Sequence, residues 1–307
     1  MTKEYINQEA DAKMYISPGQ EYEKQTLKSD FIFGKVMQDE ELCKELLELL
    51  TGNEIEGIEN LNSQMPIKVT NDSRGVRYDI YVEDTSANVY DAEIQQYGGV
   101  EVKRELPKRS RYYQGLMDLN LLESGGTYAN LKNSYVVFIC TFDPFEMKFC
   151  RYEFKNMCML EQTFPLRDGR TILFFNSKGE IKNISKEIQA FLDYLETGQV
   201  SDEFTEKLDK AVEYARHNKE WKVEYMKSLL YEMDIRRRAT REGLEEGREK
   251  SLIEQIVKKV QKNKSIDLIA SELETTVEEI SSLYEATLKC GPEYDVDQIY
   301  NMVNNKL

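Results

Sequence analysis

The stretch VRYDIYVEDTSANVYDAEIQQ, from Val76 to Gln96, decides how this chain is read. In its first arm Val76, Tyr78, Ile80 and Val82 alternate with Arg77, Asp79, Tyr81 and Glu83. Beyond a polar turn, Tyr90, Ala92 and Ile94 alternate with Val89, Asp91, Glu93 and Gln95. A period of two in both arms predicts a β-hairpin. Pairing the arms antiparallel with Asp79 opposite Glu93 sets Ile80 against Ala92, Tyr78 against Ile94 and Val82 against Tyr90. That makes one continuous apolar face, which a slip of one residue would destroy. The other face then gathers Asp79, Asp91, Glu93 and Gln95.

Directly opposed residues hold their Cβ atoms about 5 Å apart, and like charges there repel. Solvation of an exposed strand face accounts for such a pattern without any function. Alternatively a basic neighbour or a divalent cation offsets the repulsion. Two carboxylates at that separation can share a hard cation such as Mg²⁺, with a backbone carbonyl and waters completing its shell. The spacing D-x₁₃-E-x-Q is too short a motif to choose between these accounts, so the choice falls to the rest of the chain.

The chain has 307 residues, of which 40% are hydrophobic and 32% charged. That suits a globular protein with one large domain and an appendage, or two modest domains. The net charge of −15 argues against non-specific nucleic-acid binding, which rests on neutralising phosphates. Against that total, the segment Lys103–Arg111 carries five basic residues and a single acid, Glu105. His217 is the only histidine, which removes a histidine-rich zinc site and histidine triads. No phosphate-cradling glycine motif is present. Catalysis would therefore fall to carboxylates, amides, lysines, arginines or tyrosines. The five cysteines, none spaced C-x-x-C, read as buried reduced thiols. The first residues are polar and the longest apolar runs fall far short of the ~20 residues of a membrane span. A cytoplasmic protein with no membrane partner is expected.

Along the chain, residues 1–28 read as a polar lead-in. Asp30 is placed to cap a first helix, and Leu42, Leu46, Leu49 and Leu50 form the stripe of a second that Gly52 stops. Leu106–Gly126 reads as a helix with Pro107 in its first turn. SYVVFICTF and TILFFN read as buried strands, with EFKNMC a short strand between them. From Ile184 the chain is almost wholly helical, with a break near Asn218. Its last part reads helix, turn, helix, with a capping box at Thr276 and Glu279. The second of these helices, VEEISSLYEATL, is acidic, which favours packing or oligomerisation over DNA reading. The apolar stripe of residues 251–307 needs cover from the body of the chain or from a second copy, so a homodimer is a candidate assembly.

An ordered series of segments carries a resemblance: SDFIFGKVM, YDIYVED, DAEIQQ, LPKRSRYYQGLMD, GGTYANLKNSYVVFICTFDPF, YEFKNMC, FFNSKG, FLDYLETG, EWKVEYM and REGLEEGREK. Over about residues 29–250 the chain resembles the Rpn family, recombination-promoting nucleases also described as PD-(D/E)XK nuclease family transposases. The resemblance implies an α/β fold with a restriction-endonuclease-like PD-(D/E)XK core, a mixed sheet flanked by helices, and a helical C-terminal extension. The expected divisions are a lead-in at 1–28, the nuclease-like core at 29–180, a helical extension at 181–250 and a helical tail at 251–307. Asp79 matches the family's first acid, and Glu93 and Gln95 match its E-x-Q, where the wider fold has E-x-K. Arg109 and Tyr112 match R-x-x-Y, and Asp30 and Phe31 match the D-F opening. Glu45 is the candidate third acid, with Glu41 and Glu48 competing for that role.

The implied activity is Mg²⁺- or Mn²⁺-dependent hydrolysis of DNA phosphodiesters, linked to recombination or transposition. Asp79 and Glu93 would hold the metal, Gln95 would orient water or phosphate, and Arg109, Arg111 and Tyr112 would meet DNA phosphates. The rival reading is a non-catalytic DNA- or protein-binding module derived from such a nuclease. The complete set of acids favours the enzyme, and the acidic total favours the rival.

Overall fold

The computed structural model describes residues 21–67, 76–122, 126–161 and 163–304. The lead-in expected at 1–28 lies outside them up to residue 20. Its described part is not loose: Tyr22 and Leu27 are buried, and the Tyr22 hydroxyl donates to the Ala215 carbonyl at 2.6 Å. The chain divides into two compact units, Met1–Met226 and Lys227–Leu307.

In the first unit, α1 (Asp30–Val36) turns Ile32, Phe33 and Val36 inward. Its N-cap is Ser29, one residue before the expected Asp30, whose carboxylate accepts the Phe31 N–H instead. α2 (Glu40–Thr51) begins where Asp39 accepts from the N–H groups of Glu41 and Leu42, and stops at Gly52 with φ 75°. There a side chain would be strained and glycine is not.

Among the described residues six strands follow: β1 (Ile58–Ile67), β2 (Val76–Asp84), β3 (Asn88–Gln95), β4 (Asn133–Cys140), β5 (Arg151–Phe154) and β6 (Arg170–Asn176). They form one mixed sheet in the order β1-β2-β3-β4-β6-β5. β1, β2 and β3 are antiparallel neighbours, β3, β4 and β6 are parallel, and β5 is antiparallel to β6. The parallel step from β3 to β4 needs a crossover, and α3 (Val100–Leu121) supplies it. α3 starts six residues before the expected Leu106, so Pro107 lies inside the helix rather than in its first turn. The missing N–H there forfeits one helical hydrogen bond, at an exposed position.

Both faces of the sheet are covered. On one, Ile80, Val82, Ala92, Ile94, Val137 and Ile139 pack with Phe33 of α1, Leu46 of α2, Phe191 of α4 (Lys186–Thr197) and Leu208 of α5 (Glu203–His217). On the other, Tyr81, Val89, Val136, Phe138 and Phe174 pack with Leu106, Tyr113 and Met117 of α3. Helices on both faces of a mixed sheet make the α/β architecture expected.

α6 (Lys219–Val260) supplies the last helical residues of the first unit and the first of the second. The second unit adds α7 (Ile266–Glu272), α8 (Val277–Lys289), with its Thr276–Glu279 capping box formed, and α9 (Val296–Val303). Most of the apolar stripe expected to need cover packs within this unit, although Leu268 stays exposed. Ile253, Ile256 and Val260 pack with Ile269, Ile280, Leu283 and Ile299. Ile280→Asp would bury an unpaired charge in that small core. Hydrogen exchange is expected to show lost protection over residues 253–303, with β2, β3 and β4 unaffected.

Candidate active site

The hairpin takes the expected register through Ile80↔Ala92, Tyr81↔Asp91, Val82↔Tyr90 and Glu83↔Val89. One acid of the stretch, Asp84, is a turn staple. It is 1% exposed and accepts from the Ser86 and Asn88 N–H groups, Asn88 Nδ2 and the Tyr90 hydroxyl, all within 2.9 Å.

One step further the ladder opens. β2 stays paired with β1 as far as Val76, and β3 stays paired with β4 as far as Gln95, but the β2–β3 pairing ends at Ile80 and Ala92. Side chains take the backbone donors beyond that point. The Asp79 N–H donates to Glu93 Oε1 at 3.1 Å, and the Ile94 N–H donates to Asp79 Oδ2 at 3.2 Å. The two acids therefore stand at the fork of the sheet, each aimed by a backbone donor of the opposite strand. Tyr78 falls with Tyr81 in the α3-side core, not with Ile94 as alternation predicts, and its hydroxyl donates to the Tyr113 carbonyl at 2.9 Å.

These acids are not on a solvated face. Asp79 is 7% and Glu93 2% exposed. Burial pushes the Glu93 carboxyl up to about 7 against the pull of Arg109. Asp79 is held well above the usual carboxylate range by burial, then by the charges of Glu93 and Asp30.

Arg109 of α3 closes over them. Its Nη2 donates to Glu93 Oε2 at 3.1 Å and to the Tyr113 hydroxyl at 2.9 Å, and its Nη1 donates to Gln95 Oε1 at 2.9 Å. Gln95 Nε2 donates to the Ile94 carbonyl at 3.0 Å. The guanidinium also lies over the rings of Tyr113 and Phe138, 5.4 and 5.6 Å from their centroids. Gly98, just before α3, packs its backbone against the Phe142 ring, where a Cβ would lie 2.2 Å away.

Alternation puts Asp91 on the acid face and gives it no role. It is fully buried, and neither carboxyl oxygen has a hydrogen-bond partner of normal geometry. Burial and the charges of Glu93 and Asp79 hold it well above the usual range. The signal that could have found it is its position two residues before Glu93, on a strand covered by α3.

Glu45 is not brought to the hairpin. It pairs with Lys207 of α5 at 3.1 Å. Of its competitors, Glu48 accepts the Ile55 N–H at 2.8 Å and Glu41 is exposed. The early-helix acid whose charge reaches Asp79 is Asp30, 3.7 Å from Arg77.

α3 divides the basic segment between its two sides. Arg109 and Tyr113 turn to the sheet, whereas Arg104, Lys108 and Arg111 are exposed at spacings of four and three, one helical stripe. Lys103 pairs with Glu146 at 3.0 Å. Tyr112 is 40% exposed beside that stripe.

Among the described residues no group of three or more His, Cys, Asp or Glu is placed to hold a metal ion. The pair Asp79 and Glu93 nevertheless suits a hard cation in its chemistry. Both are oxygen donors, both are nearly buried, and the charge of Glu93 raises the cost of charging Asp79. Among the described residues no helix is long and apolar enough to cross a membrane.

A family model described as PD-(D/E)XK nuclease family transposase matches residues 27–242 of the chain. No curated protein and no solved structure matches it.

Proposed function

The chain belongs to the PD-(D/E)XK nuclease family transposases, and we propose that it is a metal-dependent DNA endonuclease serving recombination or transposition. The observation that carries this reading is the fork itself, where Asp79 and Glu93 are buried together with Gln95 beside them. A solvated hairpin would have no reason to place two carboxylates there at the cost of like-charge repulsion.

Asp79 and Glu93 would hold Mg²⁺ or Mn²⁺, which when bound supplies a nucleophilic water near neutral pH and draws charge from the phosphate. Gln95 is an amide and cannot titrate near neutrality. Its part is to orient water or a phosphate oxygen by hydrogen bonds. Arg104, Lys108 and Arg111 form a local basic stripe for the DNA backbone, with Tyr112 beside it, despite the net charge of −15. A second copy of the chain is the proposed partner for a cut through both strands.

The test is supercoiled plasmid incubated with pure protein and Mg²⁺, Mn²⁺ or EDTA. Nicked or linear product with metal and none with EDTA is expected; intact plasmid under every metal condition would remove the endonuclease reading. DNA binding tests the stripe separately. Each phosphate that the protein no longer neutralises flattens the logarithmic salt dependence by about 0.9. Arg111→Ala should lower the slope by about that much, and replacing Arg104, Lys108 and Arg111 together by about 2.7. An unchanged slope in the triple variant would place the DNA elsewhere.

A further inference from the structure

The polar atoms that Glu93 and Gln95 would offer a cation and its water are already engaged by the protein. Glu93 Oε1 is taken by the Asp79 N–H at 3.1 Å and Oε2 by Arg109 at 3.1 Å. Gln95 Oε1 is taken by Arg109 at 2.9 Å, and its Nε2 is spent on the Ile94 carbonyl at 3.0 Å. One guanidinium thus spans both functional side chains of the E-x-Q motif. It is itself braced by the Tyr113 hydroxyl at 2.9 Å and by two aromatic faces. The Arg109 side chain remains 30% exposed, so a ligand arriving from solvent can reach it.

Two exchanges could free the site, and each alone is unfavourable. A DNA phosphate that drew Arg109 away without a cation would leave the Glu93 carboxylate, 3% exposed, buried without its counter-charge. A cation that displaced Arg109 without a phosphate would leave a guanidinium facing a dication with no anion of its own. Made together, the exchanges satisfy every charge. The phosphate takes the fork of the guanidinium, which matches it bidentately, and the carboxylates take the cation.

Resting on the metal site proposed above, we propose that Arg109 is a substrate-operated gate: it stands in the cation's place until a DNA phosphate draws it off, so that metal loads together with DNA. Its identity matters because lysine lacks the planar fork that here meets Glu93 and Gln95 through two separate nitrogens and would meet a phosphate bidentately. Coupling of this kind is reciprocal, so metal must tighten DNA binding by the factor by which DNA tightens metal binding. A free chain would then carry no loaded metal-activated water.

The test measures Mn²⁺ binding from the electron paramagnetic resonance signal of the free ion, with and without a short phosphorothioate duplex. The duplex should tighten Mn²⁺ binding to the wild-type chain about tenfold or more, within the range of ordinary allosteric coupling. Arg109→Gln should bind Mn²⁺ without duplex more tightly than wild type does, and should gain little from the duplex. If Arg109→Gln does not fold, Arg109→Lys should show the same direction of change with a smaller gain from the duplex than wild type. A wild-type affinity indifferent to duplex, or a variant that keeps the full duplex effect, overturns the gate. Glu93→Gln distinguishes the two failures. If it binds Mn²⁺ as wild type does, the metal site is misplaced; if it loses binding while the arginine variants match wild type, only the gate is wrong.

Discussion

Asp79→Asn and Glu93→Gln are each expected to reduce plasmid nicking to the level seen with EDTA, while the metal-free Asp79→Asn chain melts no lower than wild type. The two halves of this result have one cause. Each acid would give a cation one of its two anionic donors, and losing several kcal/mol of charge stabilisation slows the reaction about a thousandfold or more. Without metal the same charges are a burden, because both are nearly buried and the charge of Glu93 raises Asp79. The amide replacements keep the side-chain shape. Asparagine at 79 can still accept the Ile94 N–H, and glutamine at 93 can still accept the Asp79 N–H through its one oxygen but loses the ion pair with Arg109. Glu45→Ala is the control, since Glu45 pairs with Lys207 on the surface of α2 and should leave nicking unchanged. Wild-type nicking by both site variants would show that the fork is not where the chemistry occurs.

The hairpin was legible because a common face for Ile80, Ala92, Val82 and Tyr90 narrows the register to this one or one two residues away, and the former is found. The fork was not, because it depends on two carboxylates replacing ladder acceptors, which alternation does not encode. The exchange shifts Tyr78 across the sheet and leaves Asp79 and Glu93 aimed by backbone donors. β1 was missed for a different reason. IENLNSQMPI does not alternate and contains Pro66, which is tolerated only because the strand lies at the sheet's edge. The division of α3 could have been read from spacing alone, since residues 104, 108 and 111 share a stripe from which 109 and 113 are excluded. Asp91 looks like any strand acid until the helix above it is known. In the tail, apolar spacing showed that burial was needed but not what would provide it, and α9 supplies part of that core.

In EDTA the protein should lose about 3 kcal/mol of stability between pH 5 and 8, the opposite of ordinary acid denaturation. The sign follows from Glu93, whose carboxyl rises from 4.5 to about 7 on folding, chiefly through burial. Between those values the folded chain holds a proton that the unfolded chain has released, so folding weakens as pH rises and the full stabilisation is lost above about 7. A gap from 4.5 to about 7 corresponds to about 3 kcal/mol. Asp79 and Asp91, also raised by burial, act in the same direction. Glu83, Glu153 and Asp143 act in the opposite one. Ion pairs or hydrogen bonds lower them despite partial burial, so their stabilisation is present at neutral pH and is lost as pH falls below their ordinary range. The metal-free stability curve should therefore peak near pH 5 and fall on both sides. With one histidine in the chain, few other side chains change charge between pH 5 and 8. Urea unfolding at pH 5, 6, 7 and 8 measures the slope. Mg²⁺ should flatten it by supplying the missing positive charge, and Glu93→Gln should flatten it without metal. Stability that climbs steadily from pH 5 to 8 in EDTA would mean that the fork holds its carboxylates charged at no cost, and the physical reason for a cation there would be gone.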